Sequence, residues 1–194
     1  MPHPWNTFPG TGIQYKQQDY AYGCFPCALR MILVNTGDIA PNIDIETGIL
    51  QSVATGRGLA PGTDLNTIGP SPVELTDAFQ QITGPINDPV HEFIHFTLSG
   101  LSDSQVAADA IAEANAQYRF VGVIGAQVTQ SNDAGGHAVV MQFKDGANYY
   151  FMDPADPTQT CLLTSPVALT PCEAGLMIGN RSGANNLWVI CSKL

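Results

Sequence analysis

The sequence predicts an α+β fold, helical in its first half and β-rich in its second. Three observations carry that expectation. The apolar run at 26–35 (PCALRMILVN) is followed by Gly37, a helix stop. Beyond residue 118, segments rich in β-branched and aromatic residues alternate with turn residues. Asp145-Gly146, between two such segments, is a hairpin signal. At 194 residues the chain fits a single domain, 1–194, large enough to bury a core.

The elements follow in order. Residues 1–23 are rich in Pro, Gly, Gln and Tyr and lack periodicity, so they read as an extended lead-in ordered by docking on the core. The helix at 26–35 begins near Cys24 and is apolar all round, hence buried. A short helix is expected at Asp44–Val53, with a glycine-rich loop after it. Ser71-Pro72-Val73-Glu74 is a capping-box start for a helix running to Thr83, where Gly84-Pro85 stops it. The segment 91–98 (HEFIHFTL) has strand composition, and 102–118 has a helical apolar face at Val106, Ala110, Ile111 and Ala114. Strands are expected at 119–125, 137–143, 148–152 and 186–191.

Composition narrows the partners. Charged residues make up only 12% of the chain and the net charge is −10. The seven basic residues are scattered singly, which argues against nucleic acid and against an anionic membrane surface. No run approaches the ~18 apolar residues a membrane span needs. The opening MPHPWNTFPG lacks the basic-then-apolar pattern of a signal peptide. The expected location is the cytoplasm, or outside the cell by a specialised secretion route. Five cysteines, an odd count, leave at least one thiol unpaired within the chain. Cys161 and Cys172 are close enough in sequence to bridge, but buried free thiols are the favoured reading.

The chemistry gathers around Cys24. A thiol at a helix N-terminus meets the positive end of the helix dipole, which favours thiolate. Gln18, six residues upstream, can reach back over the thiol and share an oxyanion with the Cys24 backbone N–H. His137 opens one strand and Asp153 ends the next. A hairpin between them sets an imidazole beside a carboxylate able to fix its tautomer. Singly, each has an ordinary explanation: His137 a satisfied strand histidine, Asp153 a turn residue before proline, Gln18 a surface amide. Their combination points to a nucleophilic cysteine with base, orienter and oxyanion donor.

On these residues the chain resembles papain-like cysteine peptidases, most closely the bacteriocin-processing, double-glycine leader peptidases and their stand-alone relatives. The matching features are Gln18 six before Cys24, then Ala28-Leu29-Arg30-Met31, then His137-Ala138-Val139-Val140, with Asp153-Pro154 sixteen residues after the histidine. The resemblance implies a papain-like fold, a helical part carrying Cys24 packed against a C-terminal antiparallel sheet carrying His137 and Asp153. It implies acyl transfer on a peptide or protein amide, without metal or organic cofactor. Protein-glutamine deamidases and secreted bacterial effector toxins fall within its range, and an inhibitory or immunity protein is a candidate partner. The chain departs from the family at Gly23-Cys24-Phe25, where the family has Asp-Cys-Gly, so the cleft beside the thiol is expected to differ.

Competing signals stand beside this reading. Cys24-Phe25-Pro26-Cys27 has the shape of a dithiol redox motif, although no good strand leads into it. Cys27 also contests the nucleophile position, but the offsets to Gln18, Leu29 and Met31 favour Cys24. His91-Glu92-Phe93-Ile94-His95 spells a zinc-peptidase signature, which requires a helix to bring both imidazoles onto one ion. The segment's composition instead favours a strand. A catalytically silent papain-like domain used for binding completes the alternatives.

Overall fold

The computed structural model describes residues 2–71, 73–75, 77–78, 91–97, 118–127, 137–145, 148–164, 177–178 and 186–193. Within them the chain is a mixture of helix and antiparallel sheet, as its sequence predicts.

The first helix, α1, spans Cys24–Thr36, and every residue from Phe25 to Leu33 is buried. It starts at the cysteine itself, two residues before the apolar run. It ends where Gly37 turns left-handed at φ 87°, its N–H bonding the carbonyls of Leu33 and Val34. A Cβ at Gly37 would meet nothing within 4 Å, so glycine is required there for the backbone angle and not for space. The second helix, α2, spans Ile45–Gly56, starting one residue later and ending three residues later than expected. Asp44 caps it, its side chain accepting from Thr47 N at 3.2 Å. The capping box at Ser71 is also present: Ser71 N donates to Glu74 Oε2 at 2.8 Å, and Glu74 N to Ser71 Oγ at 3.4 Å. Residues 73–75 and 77–78 are helical; the expected continuation to Thr83 lies outside the described residues.

The lead-in is more structured than its composition suggests. Strand β1 (Trp5–Thr7) pairs antiparallel with β2 (Gln14–Lys16) in a two-stranded sheet. Gly10 and Gly12, both at positive φ, reverse the chain between them, and Ile13 is buried at 1% exposure. A reversal this short leaves no room for periodicity to register in the sequence.

The second sheet has six strands: β3 (His91–Thr97), β4 (Tyr118–Gln127), β5 (His137–Asp145), β6 (Asn148–Met152), β7 (Cys161–Thr164) and β8 (Asn186–Lys193). Their order is β3-β8-β4-β5-β6-β7, and every pairing is antiparallel. Five were expected with boundaries shifted by a few residues; β7 was not. The expected helix at 102–118 lies outside the described residues except Tyr118, which opens β4 instead of closing a helix.

Helix α1 lies on β4 and β5 and also touches β2 and α2. Gly122 permits the approach: a Cβ there would come within 2.9 Å of Ile32 Cδ1 and 3.2 Å of the Met141 carbonyl oxygen. Leu29, Ile32, Ile124, Val140 and Met152 form the centre of the core. The half-buried Asn35 and buried Gln142 join helix to sheet, Asn35 Nδ2 donating to Gln142 Oε1 at 3.0 Å. Among the described residues, no helix is long and apolar enough to cross a membrane.

Candidate active site

Cys24 is the first residue of α1 and is half-buried. Gly23 caps the helix without a side-chain bond, and Pro26 carries no N–H, so no capping side chain covers the first turn beside the sulfur. Burying the rest of α1 fixes this end of it against the sheet.

His137 opens β5, and Asp153 stands one residue beyond β6. The β5–β6 register, with Val140 opposite Met152, brings the start of one strand beside the end of the other. The imidazole Nε2 donates to Asp153 Oδ1 at 2.8 Å. The same oxygen accepts Ala155 N at 2.9 Å and Asp156 N at 3.1 Å, so the backbone locks the carboxylate before the histidine meets it. The Cys24 side chain is the second group that acts on the imidazole.

The electrostatics follow from these contacts. His137 is pushed up to about 10, first by the Asp153 hydrogen bond and then by the Cys24 hydrogen bond, against the opposing pull of desolvation. It therefore holds its proton across the neutral range. Burial pushes Asp153 upward, but the His137 hydrogen bond and charge, with the N–H groups of Asp156 and Ala155, outweigh it and hold the carboxyl below its ordinary value. The His137 side chain remains 39% exposed and Asp153 14%, so the imidazole is accessible while its partner is shielded.

Gln18 lies on the segment leading to Cys24, but its amide is engaged elsewhere. Nε2 donates to the carbonyls of Tyr20 at 2.8 Å and Ala21 at 3.0 Å. Its buried Oε1 has no hydrogen-bond partner among the described residues. The Gln18 backbone N–H donates to the Pro154 carbonyl at 2.9 Å, stitching the segment before the thiol to the segment after the carboxylate. That stitch has no signature in sequence, because it uses only main-chain atoms.

Cys27 sits one turn behind, at 0% exposure. Its thiol is raised well above its ordinary value by burial first and by the charge of Glu46 next. Cys24 and Cys27 are both free thiols, so the Cys24/Cys27 pair is not bridged; the expected alternative of a Cys161–Cys172 bridge involves Cys172, which lies outside the described residues. The HEFIH segment is the strand β3, so the helical face that a zinc-peptidase pair requires is not formed there. A cavity of about 540 Å³ between α2 and the 58–65 loop, lined by Gln51, Thr55, Leu59 and Leu65 among others, contains neither Cys24, His137 nor Asp153.

No protein-family model matches the chain, and no curated protein matches it either.

Proposed function

We propose that the chain is a cysteine-dependent hydrolase of papain-like fold, acting on a peptide or protein amide through a thioester acyl-enzyme. One observation carries the reading: His137 is held between the Asp153 carboxylate and the Cys24 side chain at the mouth of a buried helix.

The chemistry follows from the geometry. Cys24 Sγ, its proton given to His137, attacks the amide carbonyl carbon as thiolate, and the electron pair of the C=O bond moves to oxygen. The Cys24 backbone N–H stands beside the developing oxyanion, and the Gln18 amide joins it by exchanging one of its two carbonyl partners. The His137 imidazolium gives its proton to the departing amine, so the C–N bond breaks and a thioester remains. Neutral His137 then takes a proton from water as its oxygen attacks the thioester; the C–S bond breaks, the acid leaves, and Cys24 departs as thiolate beside the re-formed imidazolium. Asp153 keeps the imidazole in the productive tautomer throughout.

The test is mass spectrometry after treatment with iodoacetamide and with a library of electrophilic peptides. Cys24 is expected to label selectively in the native chain and to lose that selectivity in His137→Ala. Equal labelling of all five thiols would overturn the assignment. Hydrolysis of peptides related to the best-labelling probes, absent in Cys24→Ala, completes it.

A further inference from the structure

We propose that Glu46 is a positioning residue for this site, its carboxylate holding the 19–23 segment that delivers Cys24 and its backbone N–H to the substrate carbonyl. The proposal rests on the hydrolase reading and adds to it a residue from a different element, α2.

The geometry is specific. Glu46 Oε1 accepts the backbone N–H of Asp19 at 2.7 Å and of Tyr20 at 3.2 Å. The Tyr20 hydroxyl then bonds Thr47 Oγ1 at 2.7 Å, so one turn of α2 grips both ends of Tyr20. Gly23, the residue before the nucleophile, lies directly against the same oxygen: a Cβ there would stand 2.1 Å from Glu46 Oε1. Only glycine at 23 leaves the carboxylate its place. The Gly23 angle is φ −84°, so the requirement is for space and not for a left-handed backbone.

Glu46 has 0% exposure, which is costly for a carboxylate and argues for a definite task. The charged groups around it among the described residues come from β2, α1 and the lead-in. Lys16 Nζ, from β2, stands 3.7 Å from Oε2, too far for a hydrogen bond, and is itself bound to Asp19. From α1, Arg30 pairs with Asp19 at 3.7 Å and with the cap residue Asp44 at 3.5 Å, and the buried Cys27 thiol faces the cluster. His3 lies against Asp19 on its outer side, at 3.4 Å. Among the described residues, Lys16 and Arg30 thus serve the carboxylates of Asp19, Asp44 and Glu46, and Glu46 Oε2 has no hydrogen-bond partner. Burial pushes Glu46 up to about 7 against the pull of the Asp19 N–H and of Lys16. The charge that grips the segment is therefore lost just below neutral pH.

The experiment compares the native chain with Glu46→Gln and Glu46→Ala, reading the Cys24 alkylation rate from pH 5 to 9 and the hydrogen exchange of the Asp19 and Tyr20 amides. Glu46→Gln keeps the shape but carries no charge. It is expected to lack the inflection near 7 that the Glu46 charge adds to the native rate profile. Glu46→Ala is expected to slow alkylation by roughly tenfold or more, the loss of two charge-assisted hydrogen bonds, and to speed exchange of those two amides while α1 stays protected. Gly23→Ala, which displaces the carboxylate without removing it, is expected to act like Glu46→Ala. The proposal is overturned if Glu46→Gln keeps the native inflection, or if the two amides exchange at the native rate in Glu46→Ala. Exchange is read without any reaction at sulfur, so it judges the grip on the segment even if Cys24 proves unreactive; unreactive Cys24 in the native chain counts against the hydrolase reading instead.

Discussion

The carboxylate oxygen Asp153 Oδ1 lies 2.8 Å from His137 Nε2, and it is the oxygen already bound by the backbone of Ala155 and Asp156. The histidine is thus aimed by a group that the backbone also holds.

Removing that group should release the imidazole proton. In Asp153→Ala, the His137 ring titration followed by NMR is expected to fall from about 10 toward the ordinary 6.5. Turnover of any amide substrate is expected to drop on the order of a hundredfold or more. Asp153→Asn should cost less, because an amide oxygen still accepts the Nε2 proton. A ring midpoint unchanged in Asp153→Ala contradicts the arrangement.

The same pair sets a stability window. The folded pKa of His137 is raised, so its contribution is complete below pH 6.5 and fades as pH rises through about 10. The folded pKa of Asp153 is depressed, so its contribution is present above the ordinary carboxyl value and fades in acid. Urea midpoints of the native chain minus those of His137→Ala should form a plateau between these limits. A difference that grows from pH 8 to pH 10.5 has the wrong sign and rejects the pairing.

The two neighbouring thiols should part company. Cys24 is half-buried and Cys27 is sealed, with its thiol raised well above the ordinary range. Counting labelled sites at pH 7.5, Cys27 is expected to react only after unfolding. Cys27→Ala should lose roughly 1 kcal/mol of stability and keep Cys24 reactive; Cys24→Ala should do the reverse.

Close contact at Gly122 gives a packing test. Gly122→Ala pushes a methyl into Ile32 Cδ1 and the Met141 carbonyl, and should destabilise the chain by about 1–3 kcal/mol. Ile32→Val in the same chain removes the first clash and should restore part of the loss, since the two sites share one contact. Thermal melts of the four proteins in the cycle decide it.

The legible parts of the chain were those with local causes. Helix α1 announced itself through an unbroken apolar run and Gly37, and the capping box at Ser71 and Glu74 spelled out its own hydrogen bonds. His137 and Asp153 could be placed together because a hairpin signal lay between their strands. What escaped depends on contacts remote in sequence. Glu46 reads as an ordinary acidic residue in a first helical turn, and nothing local says that its oxygen serves Asp19 and Tyr20. Neither the six-residue offset of Gln18 from Cys24 nor the family resemblance reveals that its amide folds back on Tyr20 and Ala21. The reversal through Gly10 and Gly12 was missed because strands of three residues carry too little pattern.

The hydrogen bond from Gln18 N to the Pro154 carbonyl bears on how the protein is made. A ribosome releases the thiol early and its aiming carboxylate much later, so a half-synthesised chain carries the sulfur without the clasp that orders its surroundings. The clasp around the first turn of α1 is therefore complete only once residue 154 has emerged and docked, whatever chemistry Cys24 performs.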